Sequence, residues 1–337
     1  MAQFGMGLLP NLDPDHFIRL MQKGEQEWGY HTLWLADERW YWDVYAAMTL
    51  AATVTRHVRL ATAVTDPFSR HPAQTARGIA TVDAISGGRA ILNIGAGVSG
   101  LKDMGLARER PAKAVREAIG LIRAFLQGGP TEYHGETVHF YGGQLDFKAR
   151  PDLPLYVAGR APKMLEVAGE LADGVMLGDC GGPAPLRYYL EQLRKGAARA
   201  GRSIDGMEKV AWVHTFIHKD HAVARQAARW MTAVLIKSTK DLHPAMGIEV
   251  SEATLEKLVW PRYHLSPENI GEAANYVEDW MTDHFLLAGD PDHVGRQCQT
   301  LVDRGITHIA LIPWAVGEQP AEGSWELFAR HVMPSFR

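Results

Sequence analysis

Residues 58–97 constrain the fold more than any other stretch of this chain. A β-branched run, Val58 to Val64, passes into the polar loop Thr65-Asp66-Pro67-Phe68-Ser69-Arg70-His71. Pro72 then opens a helix at the one position where its missing N–H costs nothing. The helix ends at Ser86-Gly87-Gly88, and a second strand, Ala90 to Ile94, runs into glycines. This is a β-α-β unit whose charged and imidazole groups sit on the loop after its first strand. In parallel α/β folds that end of the sheet carries the chemistry.

The alternation continues along the chain. Strands are expected at Gln3–Leu9, Thr32–Ala36, Val58–Val64, Ala90–Ile94, Leu153–Ala158, Gly174–Leu177, Lys209–Ile217 and His308–Ile312, with apolar residues at helical spacing between them. Eight strands and their helices suit a (β/α)8 barrel of the TIM type, which typically needs about 250 residues and leaves room here for insertions. A doubly wound sheet is the alternative, and the strand count favours closure. The 337 residues read as one domain with insertions after strands 4 and 7. Residues 128–148 are rich in turn residues with short alternating runs, the pattern of an inserted hairpin. Residues 237–284 are long and mixed in charge, a candidate lid or dimer-facing segment.

Composition excludes several classes. A formal charge of −4 gives no electrostatic reason to expect nucleic acid or an anionic membrane. No apolar run approaches membrane-spanning length, and the start lacks a signal-peptide pattern, so the expectation is an unprocessed cytoplasmic protein. Cys180 and Cys298 are the only cysteines and lack metal-ligand spacing, and no other metal motif is present. The chain has no Walker lysine motif and no GxSxG elbow.

Several constellations remain. Gly95-Ala96-Gly97-Val98-Ser99-Gly100 matches the dinucleotide fingerprint by spacing, but it stands after three β/α units and lacks a prompt helix. A glycine-lined floor for a planar ligand and ordinary turn chemistry are its other readings. Gly159-Arg160-Ala161-Pro162-Lys163-Met164 joins a strand end to a helix start with two cations, the arrangement that holds a phosphate. Asp37 and Glu38 end the second strand, where at most one of two neighbours faces the mouth. Trp40 and its aromatic neighbours either line a planar pocket or cap the barrel. His214 is a candidate to point inward from the seventh strand. Among the 15 histidines His71 is the preferred functional candidate, because it shares the loop after strand 3 with Arg70.

Taken in order, Phe4-Gly5-Met6-Gly7-Leu8-Leu9-Pro10-Asn11, Leu33-Trp34-Leu35-Ala36-Asp37, Val64 to Pro72, the Ile-Gly-Ala-Gly ending at Gly97, Gly159-x-x-Pro162-Lys163-Met164, Ala172-Asp173-Gly174-Val175 and Gly289-Asp290-Pro291-Asp292-x-Val294 resemble the luciferase-like superfamily of flavin- and deazaflavin-dependent oxidoreductases. The nearest branch is that of the methylenetetrahydromethanopterin reductases. The resemblance implies a (β/α)8 barrel, commonly dimeric, with an isoalloxazine-type ring at its C-terminal mouth. It implies a non-prolyl cis peptide at Ala63–Val64, ring contacts from Thr65, Asp66 and Gly95 to Gly97, and phosphate binding by Gly159 to Met164.

Two departures bear on the reaction. The methanopterin branch carries a glutamate where this chain has Gly7, and many deazaflavin relatives have Asp-His where it has Asp37-Glu38. Asp37, Glu38, Asp66 and His71 are left as acid/base candidates. The missing acids turn the first expectation towards an FMNH2-dependent monooxygenase, supplied with reduced FMN by a separate flavin reductase. The alternative is a reductase using the deazaflavin coenzyme F-420, whose acidic tail would meet Arg39, Lys102 or Arg110. A non-catalytic flavin-binding protein is the remote third. The substrate is a small organic molecule, with Trp40, His214, Trp260, Tyr263 and His264 as pocket candidates.

Overall fold

The computed structural model describes residues 2–336 apart from 39, 98, 99 and 259–265. Its strands are β1 (Gln3–Leu8), β2 (Thr32–Leu35), β3 (Arg59–Thr62), β4 (Ala90–Ile94), β5 (Thr131–His134), β6 (His139–Gly143), β7 (Leu155–Gly159), β8 (Gly174–Gly178), β9 (Glu208–Ile217), β10 (Leu287–Gly289) and β11 (His308–Pro313). The main sheet runs β10-β9-β11-β1-β2-β3-β4-β7-β8, and a further β9–β8 pairing closes it. Eight of these strands form the expected (β/α)8 barrel. Every residue of β2 and β4 is buried, as expected of parallel strands covered on both faces. That burial is why their sequences read as unbroken apolar runs. β10 is three residues long, too short to register as a strand in sequence, and it extends the pairing of β9 at Thr215 to Ile217.

The chain packs as two compact units, one of Gly5–Met176 with Gln192–Glu208, the other of Met1–Phe4, Leu177–Glu191 and Lys209–Arg337. In the first, the helices that follow β1, β2 and β3 are capped by the loops before them. Asp13 caps Pro14–Gln26, Asp43 caps Val44–Val54 and His71 caps Pro72–Ser86. Gly87, at φ 73°, ends the last of these in the left-handed conformation that glycine tolerates best. Helices Pro162–Leu171 and Pro183–Arg199 touch through glycines. A Cβ on Gly196 would lie 2.0 Å from the Glu166 carbonyl oxygen, and one on Gly169 would lie 2.1 Å from that of Leu193. Gly196→Ala is therefore expected to lower stability by about 1–3 kcal/mol in a thermal or urea melt, despite alanine's better helix propensity.

The expected insertion at 128–148 is the antiparallel hairpin β5–β6. A residue outside the insertion anchors it: Glu117, on helix Pro111–Leu126. Its carboxylate accepts from the backbone N–H groups of Glu136, Thr137 and Val138 and from the Thr137 hydroxyl, at 2.6–3.1 Å. These donors hold the acid's pKa down to about 2 from an ordinary 4.5, outweighing the opposing effect of burial. A depressed acid stabilises the fold above its unfolded pKa and loses that contribution as pH falls through the folded value. Melting temperature should therefore decline as pH drops from 4.5 towards 2. Glu117→Gln should flatten that decline and cost about 1–3 kcal/mol at neutral pH, where an amide meets donors.

In the second unit the described residues of the insertion at 237–284 carry short helices joined by turns. It runs on from His221–Thr239 through short segments to Asp279–Phe285. Trp260, Tyr263 and His264 lie outside the described residues. Among the described residues no helix is long and apolar enough to cross a membrane.

Candidate active site

Three strand ends in the first unit build one site. After β3 the Ala63–Val64 peptide is cis, as the family resemblance implied. Thr65 then pairs beside β4, its N–H donating to Asn93 O at 3.2 Å while Gly95 N–H donates to Thr65 O at 2.9 Å. The chains approach so closely that a Cβ on Gly95 would lie 3.0 Å from Val64 Cγ2 and 3.2 Å from the Ala158 carbonyl oxygen of β7. Gly97 has φ +61° and turns away over Asp66, whose Cγ would be 2.9 Å from an added Cβ. The Arg108 guanidinium donates to Gly97 O at 2.8 Å and fixes that turn. Gly95, Ala96 and Gly97 thus form a side-chain-poor shelf beside Val64 and Thr65, suited to a flat ring.

The four acid/base candidates have different fates. Asp66 accepts from Phe68 N–H (2.7 Å), Ser69 N–H (2.8 Å) and the Ser69 hydroxyl (2.8 Å), so its carboxylate shapes the loop. His71 Nδ1 accepts from Ala73 N–H at 3.2 Å, capping its helix, and Nε2 meets His139 O of β6 at 2.9 Å. Both ring nitrogens are engaged in holding structure. Glu38 is half-buried, and its carbonyl accepts from Tyr41 N–H. Asp37 is also half-buried, and burial is the main cause raising its pKa above the ordinary carboxylate range. Thr65 and Arg70 oppose that rise, while the Asp43 and Asp66 carboxylates add to it.

Around Asp37 stand residues that sequence reasoning missed. Asp43 caps its helix through Oδ1 and accepts from Arg70 through Oδ2 at 2.9 Å. Arg70 lies over the Tyr45 ring, 4.9 Å from its centroid. Nothing local announces an ion pair 27 residues apart, although the Asp43-Val44 step is legible as a helix start.

At the end of β7, Gly159 and Arg160 are half-buried and Lys163 is exposed. A Cβ on Gly159 would meet Met164 Cγ at 2.5 Å, so glycine lets the chain fold back on its own helix. Helix Pro162–Leu171 begins at Ala161 with Pro162 in the first turn and no side-chain cap. Its N-terminus therefore keeps a positive end beside two cations, which suits a phosphate.

Trp40 is 69% exposed on the loop after β2. His214 belongs to the second unit. There Trp314 Nε1–H donates to its Nδ1 at 2.9 Å, and Asp179 Oδ1 lies 3.7 Å from its Nε2. Among the described residues no group of three or more His, Cys, Asp or Glu side chains is placed to hold a metal ion.

A glycine shelf at the ends of β3 and β4 and a cationic helix start after β7 place the candidate site at the C-terminal ends of parallel strands, where barrel enzymes carry their chemistry. The family profile described as luciferase-like monooxygenase matches residues 1–308. The chain belongs to this family.

Two full-length relatives are 5,10-methylenetetrahydromethanopterin reductases. That of Methanopyrus kandleri is 32% identical over 100% of this chain and 99% of its own. That of Archaeoglobus fulgidus is 32% identical over 99% and 100%. The solved structure of the coenzyme F420 dependent tetrahydromethanopterin reductase from Methanopyrus kandleri superposes with a TM-score of 0.86 at 31% identity, covering 100% of this chain and 99% of that one. These relatives favour the alternative, deazaflavin-dependent reduction, over the first expectation of oxygen insertion with reduced FMN. The absence of an acid at Gly7 was too weak a basis for the oxygenase reading.

Proposed function

We propose that this protein is a reductase that uses coenzyme F420 and acts on a small one-carbon-carrying pterin of the methylenetetrahydromethanopterin type. The full-length relationship at 32% identity to reductases of that substrate carries the reading. The chain's own residues fit the coenzyme on three counts. The shelf Gly95 to Gly97 admits a flat ring, since an added Cβ at either glycine would strike its neighbours. Ala63, Val64, Thr65 and Asp66 shape the adjoining edge. The uncapped helix start with Arg160 and Lys163 suits its phosphate. Lys102, exposed on the loop after β4, is available to an acidic tail.

When bound in its reduced form, F420H2 would supply a hydride and leave as F420. Reducing an electron-poor carbon–nitrogen bond leaves a nitrogen that needs a proton. Gly7 has none to give, and its cross-strand partner is Trp34. Asp66 and His71 are engaged in holding the loop and the helix cap. Asp37 is the group whose surroundings favour keeping a proton, so we assign it the general-acid role. Arg70 and Asp43 hold the loop behind it.

The test is a titration of purified protein with F420 and with FMN, each oxidised and reduced, followed by F420H2 oxidation in the presence of methylenetetrahydromethanopterin. Selective F420 binding and substrate-dependent oxidation are expected. Tight binding of reduced FMN with oxygen consumption would restore the oxygenase reading and sink this one.

A further inference from the structure

Among the described residues of the first unit, Tyr45 Oη, Thr65 Oγ1 and Thr75 Oγ1 are three of the four hydroxyl oxygens buried with no hydrogen-bond partner, Thr32 Oγ1 being the fourth. Thr65 and Thr75 are fully buried and Tyr45 is 8% exposed. They are not scattered. Thr65 lies beside the Asp37 carboxyl, and the Tyr45 phenol lies beside both Thr65 and Thr75. Leaving a buried hydroxyl unpaired is costly, so three at one carboxyl call for an explanation.

We propose that Thr65, Tyr45 and Thr75 form a reversible hydroxyl relay behind Asp37, and that Tyr45 is the residue that positions it. A hydroxyl both donates and accepts, and its hydrogen rotates to suit its partners. The chain can therefore point in either of two directions. With Asp37 ionised, Thr75 donates to Tyr45, Tyr45 to Thr65, and Thr65 to the carboxylate. With Asp37 protonated, its O–H donates to Thr65 and the other two donors reverse. Each arrangement strengthens its neighbours' hydrogen bonds, so the carboxyl's proton state is felt at Thr75.

The surrounding packing holds the relay in line. Gly78 admits the Tyr45 ring against helix Pro72–Ser86, since a Cβ there would lie 2.9–3.0 Å from three ring carbons. Thr75 comes from the same helix, one turn earlier. Arg70 covers the ring and is held by Asp43. The charged and titratable groups facing Asp37 are Arg70 and Asp66 from the loop after β3, and Asp43 and Tyr45 from the cap and first turn of helix Val44–Val54.

This inference rests on Asp37 as the proton donor of the proposed reaction, yet its test does not depend on turnover. The proton state of Asp37 is read in the coenzyme-free protein by the infrared band of its protonated carboxyl across a pH series, assigned by its loss in Asp37→Asn. Thr65→Val, Tyr45→Phe and Thr75→Val remove the hydroxyls one at a time with little change of volume. Each removal takes donation away from the ionised form, so the midpoint rises. Thr65→Val should raise it by about one pH unit, Tyr45→Phe by less, and Thr75→Val by least. A midpoint that moves in Thr65→Val but stays at the wild-type value in both others overturns the relay, because Thr65 then acts alone. A midpoint unchanged in all three overturns it entirely. Should Tyr45→Phe misfold, Thr75→Val still reads the far end. If Asp37→Asn retains full F420H2 turnover, the proton-donor assignment fails while the titration still decides the relay.

Discussion

Asp37→Asn should reduce turnover with F420H2 by roughly a hundred- to ten-thousand-fold, the usual worth of a positioned proton donor. Coenzyme affinity should change little, because the substitution keeps size and shape and lies apart from the cationic helix start. The pattern to look for is a fall in kcat and kcat/KM together, which marks an interaction made in the transition state. In the wild type the working form is the protonated one. Burial raises the pKa of Asp37, so turnover should hold to higher pH than an ordinary aspartate allows and then decline as pH rises through its titration. Stability follows the same sign. The folded state binds the proton more tightly than the unfolded chain does, so the Asp37 contribution is present at low pH and is lost as pH rises. Thermal melts of Asp37→Asn should lack that component. Wild-type turnover in this variant would return the proton to another group, with Glu38 the first to examine.

The second large effect is expected at the end of β7. Removing both cations, in Arg160→Ala with Lys163→Ala, should weaken F420 binding by about 10- to 100-fold, equivalent to the loss of charge-assisted contacts to phosphate. Binding to the wild type should weaken with added salt, and the double variant should show a shallower salt dependence. At saturating F420 the turnover number should be close to wild type, since both residues are assigned to the phosphate and not to the proton transfer. An unchanged dissociation constant, measured by fluorescence or calorimetry, would show that the phosphate sits elsewhere.

The glycine shelf sets a limit on both experiments. Gly97 adopts φ +61° with the Asp66 carboxyl against its Cα. Side chains at that position would push on a carboxylate already committed to Phe68 and Ser69. The loop after β3 and the turn after β4 are thus one packed object, and substitutions in either report on ring binding and on loop integrity together. Substitutions at Arg160 and Lys163 separate these effects, since neither is part of that object, whereas Asp37 borders it through Thr65 and Arg70.

Much of this was readable from residues alone. The barrel was legible because each parallel strand is buried on both faces, which writes an apolar run into the sequence, and because Pro72 and Gly87 mark a helix start and stop. The glycine turn after β4 and the cationic helix start after β7 were legible because they are written in adjacent residues. The acid was not. Asp37 and Glu38 are neighbours of the same chemistry, and only the placement of Thr65, Tyr45 and Arg70 around Asp37 distinguishes them. His71 looked the more reactive by residue type. Its Nε2 meets a carbonyl 68 residues away on β6, a contact no spacing rule predicts. Glu117 was missed for the same reason, since the hairpin loop it anchors lies 19 to 21 residues further on. The relatives favour a deazaflavin over FMN, the reverse of the order drawn from a missing side chain at Gly7.

The sequence by itself determined the order of elements, the two insertions, the ring shelf and the family. Those features depend on periodicity, caps and turns, whose physical causes act within a few residues. Only the tertiary structure decided at which carboxyl burial raises the pKa, which histidine is a cap, and which buried hydroxyls lie near Asp37. Burial and electrostatic coupling set those properties, and both depend on which distant segments meet.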